Sequence, residues 1–206
     1  TVRKVYEGFA VRFKDAAKSR FSEGENTLVF SYYGAEKEFV LSVEEAAVFV
    51  QAGLEEACGY DTLAAAIGAA NVLDAENIVT ITLNRDFIAG KDGCVIDAGF
   101  VVAHNHNELV LDLNGHIIDR GLTSSSSGQD GRVFSVTKGS FTLADSNPSA
   151  AHAYDSKAYP AGGVIAGGFS YFSTDDGSAT IKTGGGGINV NYTDDYVFTM
   201  NGGSVW

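Results

Sequence analysis

Three short triplets of one pattern recur along the chain at a fixed distance. Ile81-Thr82-Leu83, Leu111-Asp112-Leu113 and Phe141-Thr142-Leu143 lie 30 residues apart, each apolar, polar, apolar. In a strand, successive side chains point to opposite faces, so the two apolar residues of a triplet share one face. A unit this short cannot bury that face alone, and a fixed period lets each copy stack on the one before. Phe198-Thr199-Met200 is a fourth copy, 57 residues after the third and close to two periods. The expected register places Leu83, Leu113 and Leu143 in line.

A second strand precedes three of these copies. Val101-Val102 lies ahead of Leu109–Leu113, Phe134-Ser135-Val136 ahead of Phe141–Leu143, and Ile188-Asn189-Val190 ahead of Phe198–Met200. Val164-Ile165, bracketed by Gly162-Gly163 and Gly167-Gly168, reads as another. Fifteen of the 25 glycines fall after residue 120, which suits a coil that bends every few residues. A hairpin sandwich would also show short strands and turns. The 30-residue recurrence favours a solenoid.

Val110-Leu111-Asp112-Leu113-Asn114-Gly115-His116-Ile117-Ile118 resembles a rung of the right-handed, pectate-lyase-like parallel β-helices of large bacterial secreted or wall-anchored proteins. Phe141–Ser146, Gly162–Gly168, Gly186–Val190 and Phe198–Gly203 resemble further rungs in the same order, so the likeness covers about residues 60–206. It implies a mainly β chain: a right-handed parallel β-helix solenoid with an N-terminal α-helical cap, over 58–206 and cut short at its C-terminal end. Asn201–Trp206 falls inside a rung motif, which implies further rungs beyond it. The likeness says little about function, since that fold hosts adhesins, lyases, hydrolases and spacers. On the residues alone, Leu111, Leu113 and Ile117 would point inward and Asn114-Gly115 would form a corner. Asn84 and Asn114, one period apart, could bond through their amides, a ladder that Ala144 would break. His116 has Asp86 and Ser146 at its equivalent positions, and a corner or solvent-facing role is expected of it.

Residues 1–57 read as a small α+β segment of unassigned role. Phe9 to Phe21 is a short amphipathic element. Thr27–Tyr33 and Glu38–Leu41 are two strands joined around Gly34. Ser42 followed by Glu45 is a capping box that predicts a helix over Val43–Ala52, stopped by Gly53. Asp61 opens a second predicted helix, Thr62–Ala70, with Asn71 as its stop. This helix would cover the open, apolar end of the first rung.

Net charge is −12, which argues against a nucleic-acid backbone as partner. Residues 1–20 carry six Lys/Arg against two acidic residues, a basic start that fits a solvated face better than an anionic surface. No apolar run approaches the ~18–20 residues of a membrane span. Cys58 and Cys94 are too few for a disulfide scaffold; they could pair in an exported chain or be two unrelated thiols.

Candidate chemistry falls on acids and aromatics. Asp175-Asp176 and Asp194-Asp195 are adjacent pairs in turns. An inverting glycosidase needs two carboxyls ~6.5–9.5 Å apart across a cleft, whereas neighbours in a strand point apart, so each pair could be at most half of a site. Solvated turn acids are the commoner role. The glycosidases of the resembled fold carry glycine-histidine-glycine and arginine-isoleucine-lysine elements that are missing here. Pectate lyases use an arginine on a strand face, and Arg120 and Arg132 do not lie in such strands. Ser173–Gly177 could supply hard ligands for a structural calcium ion; no other cofactor is expected. His104-Asn105-His106 puts two imidazoles in one extended segment, the minimum of a zinc pair, with no third ligand. Tyr154, Tyr159, Phe169, Tyr171 and Phe172 interrupt the period within 19 residues, either as a binding face or as a lid. The expected function is a secreted or cell-surface module without catalysis, for display or adhesion to cell-surface or host glycans or proteins. The alternative is a carbohydrate-active enzyme, a lyase or glycoside hydrolase, or a fragment of one.

Overall fold

The computed structural model describes residues 2–5, 8–11, 24–43, 45–73, 76–123, 131–153, 157–173, 180–184, 186–190 and 197–206. They fall into two compact units, Thr1–Glu45 and Ala46–Trp206.

In the first unit, β1 (Val2–Val5) pairs antiparallel with β2 (Gly8–Val11), and β3 (Gly24–Tyr32) with β4 (Ala35–Val43). Tyr33 and Gly34 join the second pair with φ of +47° and +80°, the left-handed pair of a two-residue hairpin turn. The hairpin expected around Gly34 is therefore present. The helix over Val43–Ala52 is not. Val43 ends β4, and Val48–Ala52 is a strand, β5, with Val48, Val50 and Ala52 buried. A period of two with β-branched residues prevails over the Ser42/Glu45 capping signal. The described residues of the expected α+β segment hold strands only.

The second unit begins with β5. It continues through β6 (Cys58–Tyr60), α1 (Leu63–Val72), β7 (Ile78–Leu83), β8 (Phe87–Ile88), β9 (Phe100–Ala103), β10 (Glu108–Asp112) and β11 (Ile117–Asp119). Then come β12 (Phe134–Lys138), β13 (Phe141–Ala144), β14 (Val164–Ala166), β15 (Phe169–Ser173) and β16 (Thr180–Gly184), followed by β17 (Ile188–Val190), β18 (Phe198–Met200) and β19 (Ser204–Val205). The largest sheet runs β18-β13-β10-β7-β5-β6; its first four strands are parallel, and β5 and β6 are antiparallel. Two more sheets, β19-β14-β11-β8 and β17-β12-β9, are parallel, and β15-β16 is an antiparallel pair.

This corrects the expected right-handed parallel β-helix with an α-helical cap. The chain is mainly β, made of several small separate sheets with one helix and no solenoid among the described residues. The hydrogen-bonding edge of β7 is closed by strand β5, not by the helix. The step between paired triplets is also uneven. Val79 pairs with Leu109, Leu109 with Phe141 and Phe141 with Phe198, and Ile81 pairs with Leu111, which pairs with Leu143. Two additional residues between β10 and β13 put Leu143 level with Leu111 instead of Leu113. Leu113 is buried beyond β10, where a Cβ on Gly163 would stand 2.3 Å from its own; only glycine fits there.

Helix α1 starts one residue later than expected. Thr62 is the N-cap and its Oγ1 accepts from the Ala65 N–H. Leu63, Ala66, Ile67 and Ala70 are buried, the spacing of one helical face. Asn71 lies inside the last turn, where its side chain donates to Val101 O and accepts from Ala103 N. The core includes a file of phenyl rings, Phe100–Phe134–Phe141–Phe198, with centroids 5.2, 5.9 and 6.0 Å apart. Each fully buried ring contributes roughly 1.5–3 kcal/mol.

The corners are tied by side chains. Asn84 Nδ2 donates to Ala46 O and Asn114 Nδ2 to Leu83 O, so each amide bonds the backbone of an earlier segment and not the other amide. Ser146 Oγ continues the line onto Asn114 Oδ1. Asp112 Oδ1 accepts from the Asn114 and Ser146 N–H groups, and Asp145 Oδ1 from those of Gly115 and Asn147. No helix of the described residues is long and apolar enough to cross a membrane.

Candidate functional site

The sheet β8-β11-β14-β19 carries a small second cluster of Ile117, Val164 and Ala166, packed with Ile88 and Tyr159. Tyr159 comes from the segment that follows β13. Its hydroxyl donates to Asp119 Oδ2 at 2.5 Å, and Lys157 Nζ donates to the same oxygen at 2.6 Å. Asp119 Oδ1 accepts from the Gly121 N–H at 2.7 Å. Asp119 is 2% exposed. Burial alone would raise its pKa, but the bonds from Lys157, Tyr159 and Gly121 outweigh it and hold the carboxyl below the usual carboxylate range. Burial and the Asp119 charge push the Tyr159 phenol well above the usual tyrosine value, so it remains a donor.

Around this joint is an aromatic and cationic array. Lys157 Nζ lies 5.2 Å from the Tyr159 ring centroid and 5.8 Å from that of Trp206, within cation–π reach. The Tyr159 and Trp206 rings are 6.1 Å apart, and His152 meets Tyr159 edge-on at 6.3 Å. Trp206 is 56% exposed.

A groove of about 360 Å³ opens beside it, lined by Asp86, Lys91, Gly115, His116 and Ala150–Ala153 with His152. His116 Nδ1 stands 3.2 Å from Asp86 Oδ1, which also accepts from the Ile117 N–H at 2.9 Å. Burial would raise Asp86; the His116 and Ile117 contacts outweigh it and hold the carboxyl below its ordinary value. His152 Nε2 contacts Gly162 O at 2.6 Å. A second cleft, about 510 Å³, shares Asp86 and Lys91 and adds Asp61, Arg85 and Cys94. An imidazole held by a carboxylate at Nδ1 keeps Nε2 for proton exchange, the usual orientation of a general base.

Of the residues expected to bind a ligand, Tyr159 falls in this region, as the lid over Ile117 and Val164. Tyr171 and Phe172 lie on β15, opposite Lys182 and Ile181 of β16. Tyr154, Asp175, Asp176, Asp194 and Asp195 lie outside the described residues, as does most of the Ser173–Gly177 turn expected to suit calcium. Among the described residues, no group of three or more His, Cys, Asp or Glu is placed to hold a metal. Cys58 and Cys94 are free thiols. His104 and His106 lie in the connection between β9 and β10 but are buried, and their ring nitrogens face backbone carbonyls. Arg120 is buried too, with its guanidinium donating to Arg132 O and Asp97 O.

Asp86, Asp119, His152, Lys157 and Trp206 are not singled out by the sequence as site residues. For Asp86 a signal exists, since it stands one 30-residue period before His116. Comparison with models of protein families, with characterised proteins and with solved structures finds no match to this chain.

Proposed function

We propose that this chain is a non-enzymatic binding module, secreted or held at the cell surface, that adheres to glycans. The observation that carries the reading is the Lys157–Tyr159–Trp206 array. The C–H face of a pyranose stacks on exposed indole, and an ammonium beside the ring can donate to its hydroxyls or to a carboxylate. Asp119 fixes Lys157 and Tyr159 before any ligand arrives, so less side-chain freedom is lost on binding.

The test is a glycan array followed by titration calorimetry on the best glycan, with Trp206→Ala and Lys157→Met beside the parent. The expected result is saturable binding that weakens at least ~10-fold in Trp206→Ala, about 1.4 kcal/mol, with no product formed. Absence of glycan binding, or binding indifferent to both substitutions, would overturn the reading in favour of a protein partner or display alone.

A carbohydrate-active enzyme is the second reading, and the Asp86–His116 pair on the groove is the observation that favours it. Reducing ends or unsaturated products released from an acidic polysaccharide, and lost in His116→Gln, would establish it.

A further inference from the structure

His104 and His106 close the corner between β9 and β10. They are 1% and 5% exposed, and their rings stack with centroids 3.8 Å apart and planes inclined by 15°. All four ring nitrogens face backbone carbonyls. His104 Nδ1 lies 3.2 Å from His106 O, and His106 Nδ1 lies 3.0 Å from Glu108 O. These two contacts are local. The other two reach across the fold: His104 Nε2 is 3.0 Å from Ser140 O, and His106 Nε2 is 3.1 Å from Ala70 O in the last turn of α1. Room for the first ring depends on Gly139, at φ +89°, where a Cβ would come within 2.5 Å of His104 Cε1 and Nε2.

Carbonyls only accept, and a neutral imidazole carries one N–H. The neutral pair therefore makes two hydrogen bonds, and with both hydrogens on Nε2 those two are the long-range ones. They tie the helix end and the β12–β13 turn to the corner. Protonation adds donors only at the local contacts. Two protons would also put two cations face to face at 3.8 Å, away from water.

We propose that the stacked His104–His106 pair is a latch that holds α1 and the β12–β13 turn to the sheet when neutral and opens when acid charges it. The charged residues bordering these elements include Lys138, Glu108 and Glu76. Lys138, at the end of β12, adds a like charge. Glu108, which opens β10, has its carboxylate engaged by Thr142 Oγ1. Helix α1 and strands β9 and β13 carry no charged residue. Glu76, after the helix, accepts from the Asn107 side chain through its backbone carbonyl. Burial above all, with the His106 charge and Lys138 also contributing, pushes the His104 imidazole below the ordinary histidine value, outweighing the pull of the Ser140 and His106 carbonyls. A histidine displaced that way stabilises the fold in full above its unfolded value of about 6.5 and loses that contribution as pH falls below it.

Hydrogen exchange by mass spectrometry on the whole chain tests the latch, between about pH 7.5 and about pH 5.5. Peptides covering Leu63–Val72 and Lys138–Ser140 should lose about tenfold protection at the acid end, after correction for intrinsic rate. Glutamine mimics an Nε2–H donor and does not titrate, so His104→Gln/His106→Gln should keep these peptides equally protected at both ends. If the parent's protection does not change with pH, or the double variant opens over the same window, the latch is wrong. Should the variant not fold, the parent's imidazole 15N spectra at neutral pH decide. Nε2–H tautomers on both rings support the latch, and Nδ1–H on either overturns it.

Discussion

Two carboxylates at two ends of one small sheet show what separates a joint from a site. Asp119 ends β11 and is almost wholly buried; one oxygen serves Lys157 and Tyr159 and the other the Gly121 N–H. Asp86 stands just before β8 with its side chain 24% exposed, and one oxygen meets the His116 ring and the Ile117 N–H at the rim of a groove. Both are held below the usual carboxylate range against a burial that would raise them. A depressed pKa therefore does not mark the reactive end. At Asp119 several groups need the charge for their own satisfaction, whereas at Asp86 the charge mainly orients an imidazole that borders open space.

If Asp119 is a joint, crowding it should cost most. A Cβ on Gly167 would lie 1.8 Å from Asp119 Oδ1, at a backbone φ of +74°. Gly167→Ala should lose more than ~3 kcal/mol in urea unfolding, since both strain and a displaced buried charge act. Gly121 shares the positive φ, but a Cβ there would stand 3.5 Å from its nearest neighbour, the Ala89 Cβ. Gly121→Ala should therefore lose only about 1 kcal/mol. Equal losses would mean that backbone strain alone governs this end.

Removing the charge is the next test. Asp119→Asn leaves Lys157 without its carboxylate and should cost ~2–3 kcal/mol, while Asp86→Asn should cost under ~1 kcal/mol. A carboxyl with a lowered folded value stabilises fully above its unfolded value of about 3.9 and loses that contribution as pH falls further. The acid limb of stability should accordingly flatten below about pH 4 in Asp119→Asn. An unchanged limb would show that Asp119 is not the carboxylate that matters there.

The alternation that reveals strands is local chemistry, and it is legible: β7, β13 and β18 contain their triplets, and β10 contains the first two residues of its own. Register is not, because it depends on how many residues the intervening turns consume, and the stretch from Leu113 to Ser140 holds two more than the first period. The helix expected over Val43–Ala52 rests on Ser42 and Glu45, residues whose capping signal cannot outvote a buried Val48/Val50/Ala52 face. In the site, the period aligns Asp86 with His116, but a shared repeat position does not by itself imply contact. Lys157, Tyr159 and Asp119 cannot be joined from sequence, because the segment carrying the first two is aperiodic and Asp119 lies 38 and 40 residues from them.

Tyr159 separates packing from polarity at the joint. Tyr159→Phe keeps the ring over Ile117 and Val164 and removes only the hydroxyl, so a loss of about 1 kcal/mol is expected. A phenol raised in the fold stabilises below its unfolded value of about 10 and loses that contribution as pH rises beyond it. Ultraviolet titration of the folded parent should show one tyrosine that resists ionisation, absent in Tyr159→Phe. If the resistant signal persists, the hydroxyl is not held by Asp119.

The smallest effect on stability is expected where the groove opens. His116→Gln replaces an imidazole that is 29% exposed and pairs with one partly exposed carboxylate; such pairs contribute under ~1 kcal/mol. The urea midpoint should shift little, and Asp86 should keep its Ile117 N–H bond. A loss comparable to Asp119→Asn would make the Asp86–His116 pair a second joint and remove the case for chemistry in the groove. A small loss leaves the imidazole structurally dispensable, and its place at the rim then calls for a ligand rather than for a packing role.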